Sequence, residues 1–200
     1  MAKQLRNYPI YIAPNIIGYY DNNGQAIVID ERSNRNLNPN YIEDKIIIYE
    51  RQVKEWFLNR ASELLQGENN GFIILMIAIS YIEGVEQYRQ GNHSRGNSRN
   101  YFTNGLRRIF NLQIINNDEL NALYSQVRCG LFHTGMTQSK VVISQEYMQP
   151  IDFQEPNTIK INPEIFLNII RLDFNDYIND LKLLANVTLR DNFNNMFSNL

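Results

Sequence analysis

Apolar positions along this chain change their period near residue 40. Before that point, Ile16 to Tyr20 (IIGYY) and Gln25 to Asp30 (QAIVID) are β-branched and aromatic runs on either side of Asp21-Asn22-Asn23-Gly24. Two such runs around an Asn-Gly turn predict a β-hairpin. An isolated hairpin is marginal in water, so it is expected to pack on a larger body. Residues 31–40 (ERSNRNLNPN) are polar and read as a connector.

From Tyr41 the spacing becomes helical. Ile42, Ile46, Tyr49, Val53, Trp56, Phe57 and Leu64 recur at three- and four-residue intervals with no Gly or Pro among them, which predicts a long amphipathic helix ending at Gly67 and Gly71. A second helix follows to about Arg89, apolar around more of its circumference and therefore more central. Gln90 to Asn100 (QGNHSRGNSRN) has two glycines and no apolar period, and is expected to be a mobile loop. Helix resumes around Tyr101, burying Phe102, Leu106, Ile109 and Phe110 and leaving Arg107 and Arg108 on the other side. Asn117-Asp118-Glu119 then supplies a cap and first-turn acids for a helix through Leu131, with Gly135 where a helix-ending glycine belongs.

Val141 to Ile143 and Thr158 to Ile161 are short strand candidates joined by a Pro-containing link, expected to form a second short hairpin. Asn162-Pro163-Glu164 starts a final long helix through about Asn186, and the tail from Thr188 to Leu200 adds a turn or two. The expected fold is mainly α, with about five helices, a small N-terminal hairpin and a second short one. Residues 1–40 form the hairpin and connector and 41–200 the helical body, one domain at this length.

The totals narrow the chemistry. A net charge of −2 gives no global field for a polyanion, so any such site must be local. The lone cysteine, Cys129, cannot bridge within the chain and suits a reducing compartment, so cytoplasmic residence is expected. Pro9 and Pro14 interrupt the N-terminus before a signal-peptide core can form. Phe72 to Ile82 (FIILMIAISYI) is shorter than the ~20 apolar residues of a bilayer span, so no membrane association is expected. With two histidines and one cysteine no metal-ligand spacing exists, and no cofactor is expected.

One segment carries suggestive chemistry: Arg128-Cys129-Gly130-Leu131-Phe132-His133, at the end of a helix. An arginine offers a planar fork to phosphoryl oxygens, and a histidine exchanges protons near neutral pH. The negative end of the helix favours the protonated imidazole. Five residues at 3.6 per turn set the two side chains about 140° apart around the axis and about 7.5 Å along it, so convergence requires a distortion or an end near Gly130.

The segment resembles the R-x(4-6)-H motif of the HEPN superfamily, whose members are helical bundles carrying this motif on the helix before the last long one. Over Tyr41 to Asn186 the resemblance extends as helix order. It implies a metal-independent endoribonuclease acting as a homodimer, with two motifs facing each other, and in a toxin-antitoxin or phage-defence setting an antitoxin protein as partner. Arg128 would then hold the scissile phosphate, and His133 would assist proton transfer as the ribose 2′-OH attacks. Many catalytic members have a polar residue directly after the arginine, where this chain has Cys129. Members without full catalytic equipment serve as binding or interaction modules.

Three further features complete the candidates. Glu83, inside an apolar helix, is expected either to meet a cation, Arg128 among them, or to sit at a rim facing water. Cys129 is either a packed small hydrophobe or a thiol with a pKa lowered by Arg128. His93 lies in the polar loop with Arg95 and Arg99, and Arg107 and Arg108 follow. Together these form the only basic cluster, read either as a solvated face or as an RNA contact.

Overall fold

The computed structural model describes residues 5–111 and 116–197. Residues 1–4, with the early cation Lys3, and residues 198–200 of the predicted tail lie outside the described residues. The chain divides into two compact units, Met1–Asn59 with Tyr88–Asn92 and Asp176–Leu200, and Arg60–Gln87 with His93–Asn175. The described residues form six continuous helices and two small sheets, a mainly α architecture.

In the first unit the predicted hairpin is present as β2 (Ile16–Tyr20) and β3 (Ala26–Asp30), flanked by β1 (Ile10–Ala13) and β4 (Arg35–Asn36). All neighbours pair antiparallel in the order β1-β2-β3-β4. Its turn is held by Asp21, whose Oδ1 accepts the amides of Asn23 and Gln25 at 2.9 and 2.8 Å, while Gly24 takes φ +75°. β4 lies inside what the sequence reads as connector. Asp44, buried near the start of α1 (Ile42–Val53), accepts from Arg35 Nη2 at 2.5 Å and from the Asn38 amide at 2.8 Å, which ties that polar stretch to the helix. Helix α1 passes through a π-helical stretch, Lys54–Leu58, into α2 (Asn59–Leu64), so the long helix predicted from Tyr41 is continuous but carries an extra residue in one turn. Tyr49, Tyr88, Phe193 and Phe197 pack ring against ring here, with the last two on α8 (Val187–Phe197).

The second unit is built around α3 (Gly71–Gln90), whose Ile74, Leu75, Ala78, Ile79, Ile82 and Val85 are buried. The helix runs 20 residues and is long and apolar enough to cross a membrane by length and composition, beyond the shorter Phe72 to Ile82 run considered above; half of its most apolar window is buried. α4 (Ser98–Ile109) approaches it closely at Gly105, where a Cβ would lie 2.7 Å from the Ile82 side chain. α4 begins three residues earlier than predicted, after a turn at Ser94–Asn97.

α5 (Asn117–Leu123) continues through a second π-helical stretch, Tyr124–Cys129, into α6 (Gly130–Thr134). Its N-cap is Asn116, one residue before the predicted one, accepting from the Glu119 amide at 2.9 Å. Leu120, Leu123, Val127 and Leu131 form the buried stripe along this whole rod.

The second sheet corrects the expected hairpin. β5 (Val141–Ile143) and β7 (Ile159–Ile161) run parallel, and the antiparallel neighbour of β7 is β6 (Ile151–Asp152), giving the order β5-β7-β6. The 15-residue link is long enough to return the chain and supply a strand of its own, so the outer pair need not be antiparallel. Asn162 then caps α7 (Pro163–Lys182), its Oδ1 accepting the amides of Glu164 and Ile165 and its Nδ2 donating to the carbonyls of Gln145 and Tyr147.

Candidate functional site

The Arg128 to His133 segment lies within the second unit, on the last part of the α5–α6 rod. Because Leu120, Leu123, Val127 and Leu131 face the core, the adjacent strip carries Tyr124, Arg128 and Phe132, four residues apart each time, and neighbours at this spacing meet on a helix surface. The Arg128 guanidinium accordingly sits 5.6 Å from the centroid of the Tyr124 ring and 5.3 Å from that of Phe132. The expected distortion occurs as the π-helical stretch that ends at Cys129, and π-turns inside α-helices are frequent at functional sites. The helix then ends at Gly135 in the left-handed conformation, φ +74°.

Arg128 reaches the carboxylate of Glu83 on α3. Its Nε and Nη2 both donate to Glu83 Oε2, at 3.2 and 2.8 Å, and Glu83 Oε1 accepts from the Ser94 hydroxyl at 2.6 Å. Of the two alternatives for Glu83, pairing with a cation is the one realised, and the cation is Arg128. The pair is largely but not wholly buried, with side-chain exposures of 22% for Arg128 and 13% for Glu83. Burial works against the charged guanidinium, yet the hydrogen bond and charge of Glu83 outweigh it and raise the Arg128 pKa above its ordinary value. Nη1 of Arg128 donates to no described residue, so one edge of the fork is open.

Tyr124 is fixed in turn. Its hydroxyl shares a hydrogen bond of 2.8 Å with Ser98 Oγ, Phe102 meets its ring edge-on at 5.7 Å, and the guanidinium of Arg99 lies 5.3 Å from its centroid. Arg99 is thus brought to the Arg128 group, whereas Arg95 is exposed in the turn before α4. His93 is exposed as well.

Arg107 donates to Asn117 Oδ1 at 2.8 Å. Arg108 is half-buried and committed to carboxylates: Nε donates to Glu86 at 3.2 Å and Nη1 to Asp173, which also accepts the Tyr81 hydroxyl. Burial opposes its charge, the two carboxylates prevail, and its pKa is raised. The predicted basic cluster is therefore divided between exposed Arg95 and Arg99, half-buried Arg107 and an ion-paired Arg108.

His133 is exposed in the last turn of α6 and, among the described residues, its ring has no hydrogen-bond partner. Cys129, four residues before it, is half-buried. The end of the rod is strapped by the chain that follows. A Cβ on Gly130 would lie 2.6 Å from the carbonyl oxygen of Met136, so only glycine lets residues 136–138 lie this close. The Gln138 amide donates to the Gln126 carbonyl at 2.8 Å, and the two glutamine side chains bond at 3.0 Å.

Sequence reasoning missed Ser94, Tyr124 and Phe132 as members of this group. The four-residue spacing of Tyr124, Arg128 and Phe132 was a visible signal. Among the described residues no three His, Cys, Asp or Glu side chains are grouped to hold a metal ion. A cleft of about 320 Å³ elsewhere in the second unit, lined by Asn70, Ser144 and Glu146 among others, includes none of the motif residues. No protein-family model matches the chain, no curated protein matches it, and no solved structure matches its fold.

Proposed function

We propose that this chain is a HEPN-like, metal-independent endoribonuclease of the cytoplasm that works as a homodimer. One observation supports the reading above all. Arg128 is kept charged and oriented by Glu83 with one edge of its fork open, on the same short rod as an exposed His133 whose ring has no hydrogen-bond partner among the described residues. In this reading Arg128 binds a phosphate of RNA through that open edge and stabilises the charge that grows on its oxygens. His133 moves the proton of the ribose 2′-OH as that oxygen attacks phosphorus. The bond from phosphorus to the 5′ oxygen breaks, the leaving oxygen takes up a proton, and the products end in a 2′,3′-cyclic phosphate and a 5′-hydroxyl. A single Arg-His pair is sparse for such a step, and a two-fold interface doubles it. A toxin or phage-defence role, with an antitoxin protein as partner, follows from the same resemblance.

A second reading is favoured by the same ion pair. Two N–H groups of Arg128 already face a carboxylate, and Cys129 follows it in place of a polar residue, which suits a catalytically silent HEPN-like module that binds RNA, a nucleotide or a protein.

Incubation of purified protein with mixed RNA in EDTA, followed by end-group analysis, separates the two. The nuclease reading expects cyclic-phosphate ends from RNA, intact DNA, and no cleavage by Arg128→Ala or His133→Ala. Absence of cleavage leaves the silent module, and cleavage that persists in His133→Ala overturns the role given to that histidine.

A further inference from the structure

Four side chains of the second unit alternate cation and ring in one continuous strip: Arg99, Tyr124, Arg128 and Phe132. The contacts run 5.3 Å from Arg99 to the Tyr124 centroid, 5.6 Å from Arg128 to the same ring and 5.3 Å from Arg128 to the Phe132 ring. The inner members are fixed by Ser98 and Glu83, as described. The outer members are open. Arg99 is exposed and, among the described residues, makes no ion pair, and Phe132 is 47% exposed although it is a large apolar side chain. Phe132 also immediately precedes His133.

An exposed ring held against a cation on one side has a free aromatic surface, and nucleobases stack on such surfaces without regard to their identity. Guanidinium groups beside it suit the phosphates that join those bases. We infer that this strip is a track for an unpaired RNA strand. Phe132 stacks the base next to the phosphate taken by Arg128, and Arg99 takes a neighbouring phosphate. Phe132 and Arg99 are positioning residues in this scheme, set on either side of Arg128, and the inference rests on the reading of Arg128 as a phosphate ligand. Bases inside a duplex present edges and not faces, so the strand must be unpaired where Phe132 meets it.

The test uses the full chain and a short, unstructured, uncleavable 2′-O-methyl oligoribonucleotide carrying a fluorescent base analogue. Stacking quenches the analogue. Phe132→Leu should bind about 5- to 150-fold more weakly, the usual range for one lost base stack, and lose the quenching. Phe132→Tyr should restore both. Arg99→Gln should reduce the slope of log affinity against log salt by about 0.7, one phosphate contact on a single strand.

Binding by Phe132→Leu within about twofold of the parent protein overturns the inference. So does a Phe132→Leu variant that binds normally but loses its dimer by light scattering, because the ring then belongs to a protein interface. The nuclease reading is judged separately on cleavable RNA. Parent protein that binds and quenches the probe but cleaves nothing removes the nuclease and keeps the track. Parent protein that cleaves RNA, with Phe132→Leu binding unchanged, removes the track and keeps the nuclease.

Discussion

One oxygen of Glu83 accepts two hydrogen bonds from Arg128, while its other oxygen accepts the Ser94 hydroxyl. A carboxylate inside an apolar helix is thereby fully occupied, and a guanidinium that burial alone would disfavour stays charged. Removing either partner leaves the other largely dry and unpaired. Glu83→Ala is therefore expected to lower stability by about 1–3 kcal/mol, and Ser94→Ala by about 1 kcal/mol or less, measured by denaturant unfolding.

Glu83→Gln separates positioning from stability. The amide preserves shape and one acceptor but not the charge that orients Arg128. If the nuclease reading holds, the expected result on cleavable RNA is a lower kcat at little change in melting temperature. A merely structural role for Glu83 would shift the melting temperature and leave kcat alone.

Gly130 makes the strapped end of the rod a sensitive point. A Cβ there would meet the Met136 carbonyl oxygen at 2.6 Å and the Thr137 Cα and Gln138 amide nitrogen at 3.2 Å, all of them backbone atoms that can yield only if residues 136–138 move. Gly130→Ala should cost about 1–3 kcal/mol despite the better helix propensity of alanine. Amide exchange at Gln138 should speed up, since its bond to the Gln126 carbonyl is the contact displaced. An unchanged Gln138 amide with unchanged stability would show that the strap is not set by Gly130.

Much of this arrangement was legible in the sequence because the signals were local. The Asp21 to Gly24 turn, the helical spacing from Tyr41 and the helix end at Gly135 each depend on residues close in the chain. Glu83 was legible in a different way: a carboxylate amid Ile79, Ile82 and Val85 either meets a cation or faces water at a rim, and Arg128 was among the cations it could meet. What was not legible depends on distant packing. The parallel pairing of β5 with β7 joins three-residue strands that have no register signal of their own. Arg108 looked like the solvated face of α4, but Asp173, 65 residues away, takes its guanidinium. The π-turn at Tyr124–Cys129 adds a residue to a helix whose buried stripe keeps ordinary three- and four-residue steps, so the apolar pattern conceals it.

In the first unit, Asp30 sets an acid limit. Its carboxylate accepts from both Nη atoms of Arg51, at 2.5 and 3.0 Å, and from Ser33 and the Arg32 amide. The hydrogen bonds from Arg51 hold its pKa well below the ordinary carboxylate range, against the opposing effect of burial. A depressed folded-state pKa contributes stability that is present above the unfolded value of about 3.9 and is lost as pH falls below it toward the folded value. Unfolding free energy should therefore decline below about pH 4, and Asp30→Asn should flatten that limb while lowering stability at neutral pH. A limb of equal steepness in Asp30→Asn would place the acid sensitivity elsewhere.

The last prediction concerns how two copies share the chemistry. His133 is exposed on α6 while Arg128 turns toward Glu83, and no described contact joins the two within one chain. If the nuclease reading holds, the histidine that serves one Arg128 belongs to the other copy across a two-fold interface. Two inactive variants should then complement each other. Arg128→Ala supplies an intact His133, His133→Ala supplies an intact Arg128, and a mixed dimer of the two contains one whole site. Random exchange at equal concentrations puts half the molecules in mixed dimers with one of two sites intact, so cleavage should return to about a quarter of the parent level. Light scattering should report a dimer at tens of micromolar for the parent protein and both variants. A dimer that exchanges subunits but recovers no cleavage would place Arg128 and His133 of one site in the same chain, and a strict monomer that cleaves RNA would remove the shared site altogether.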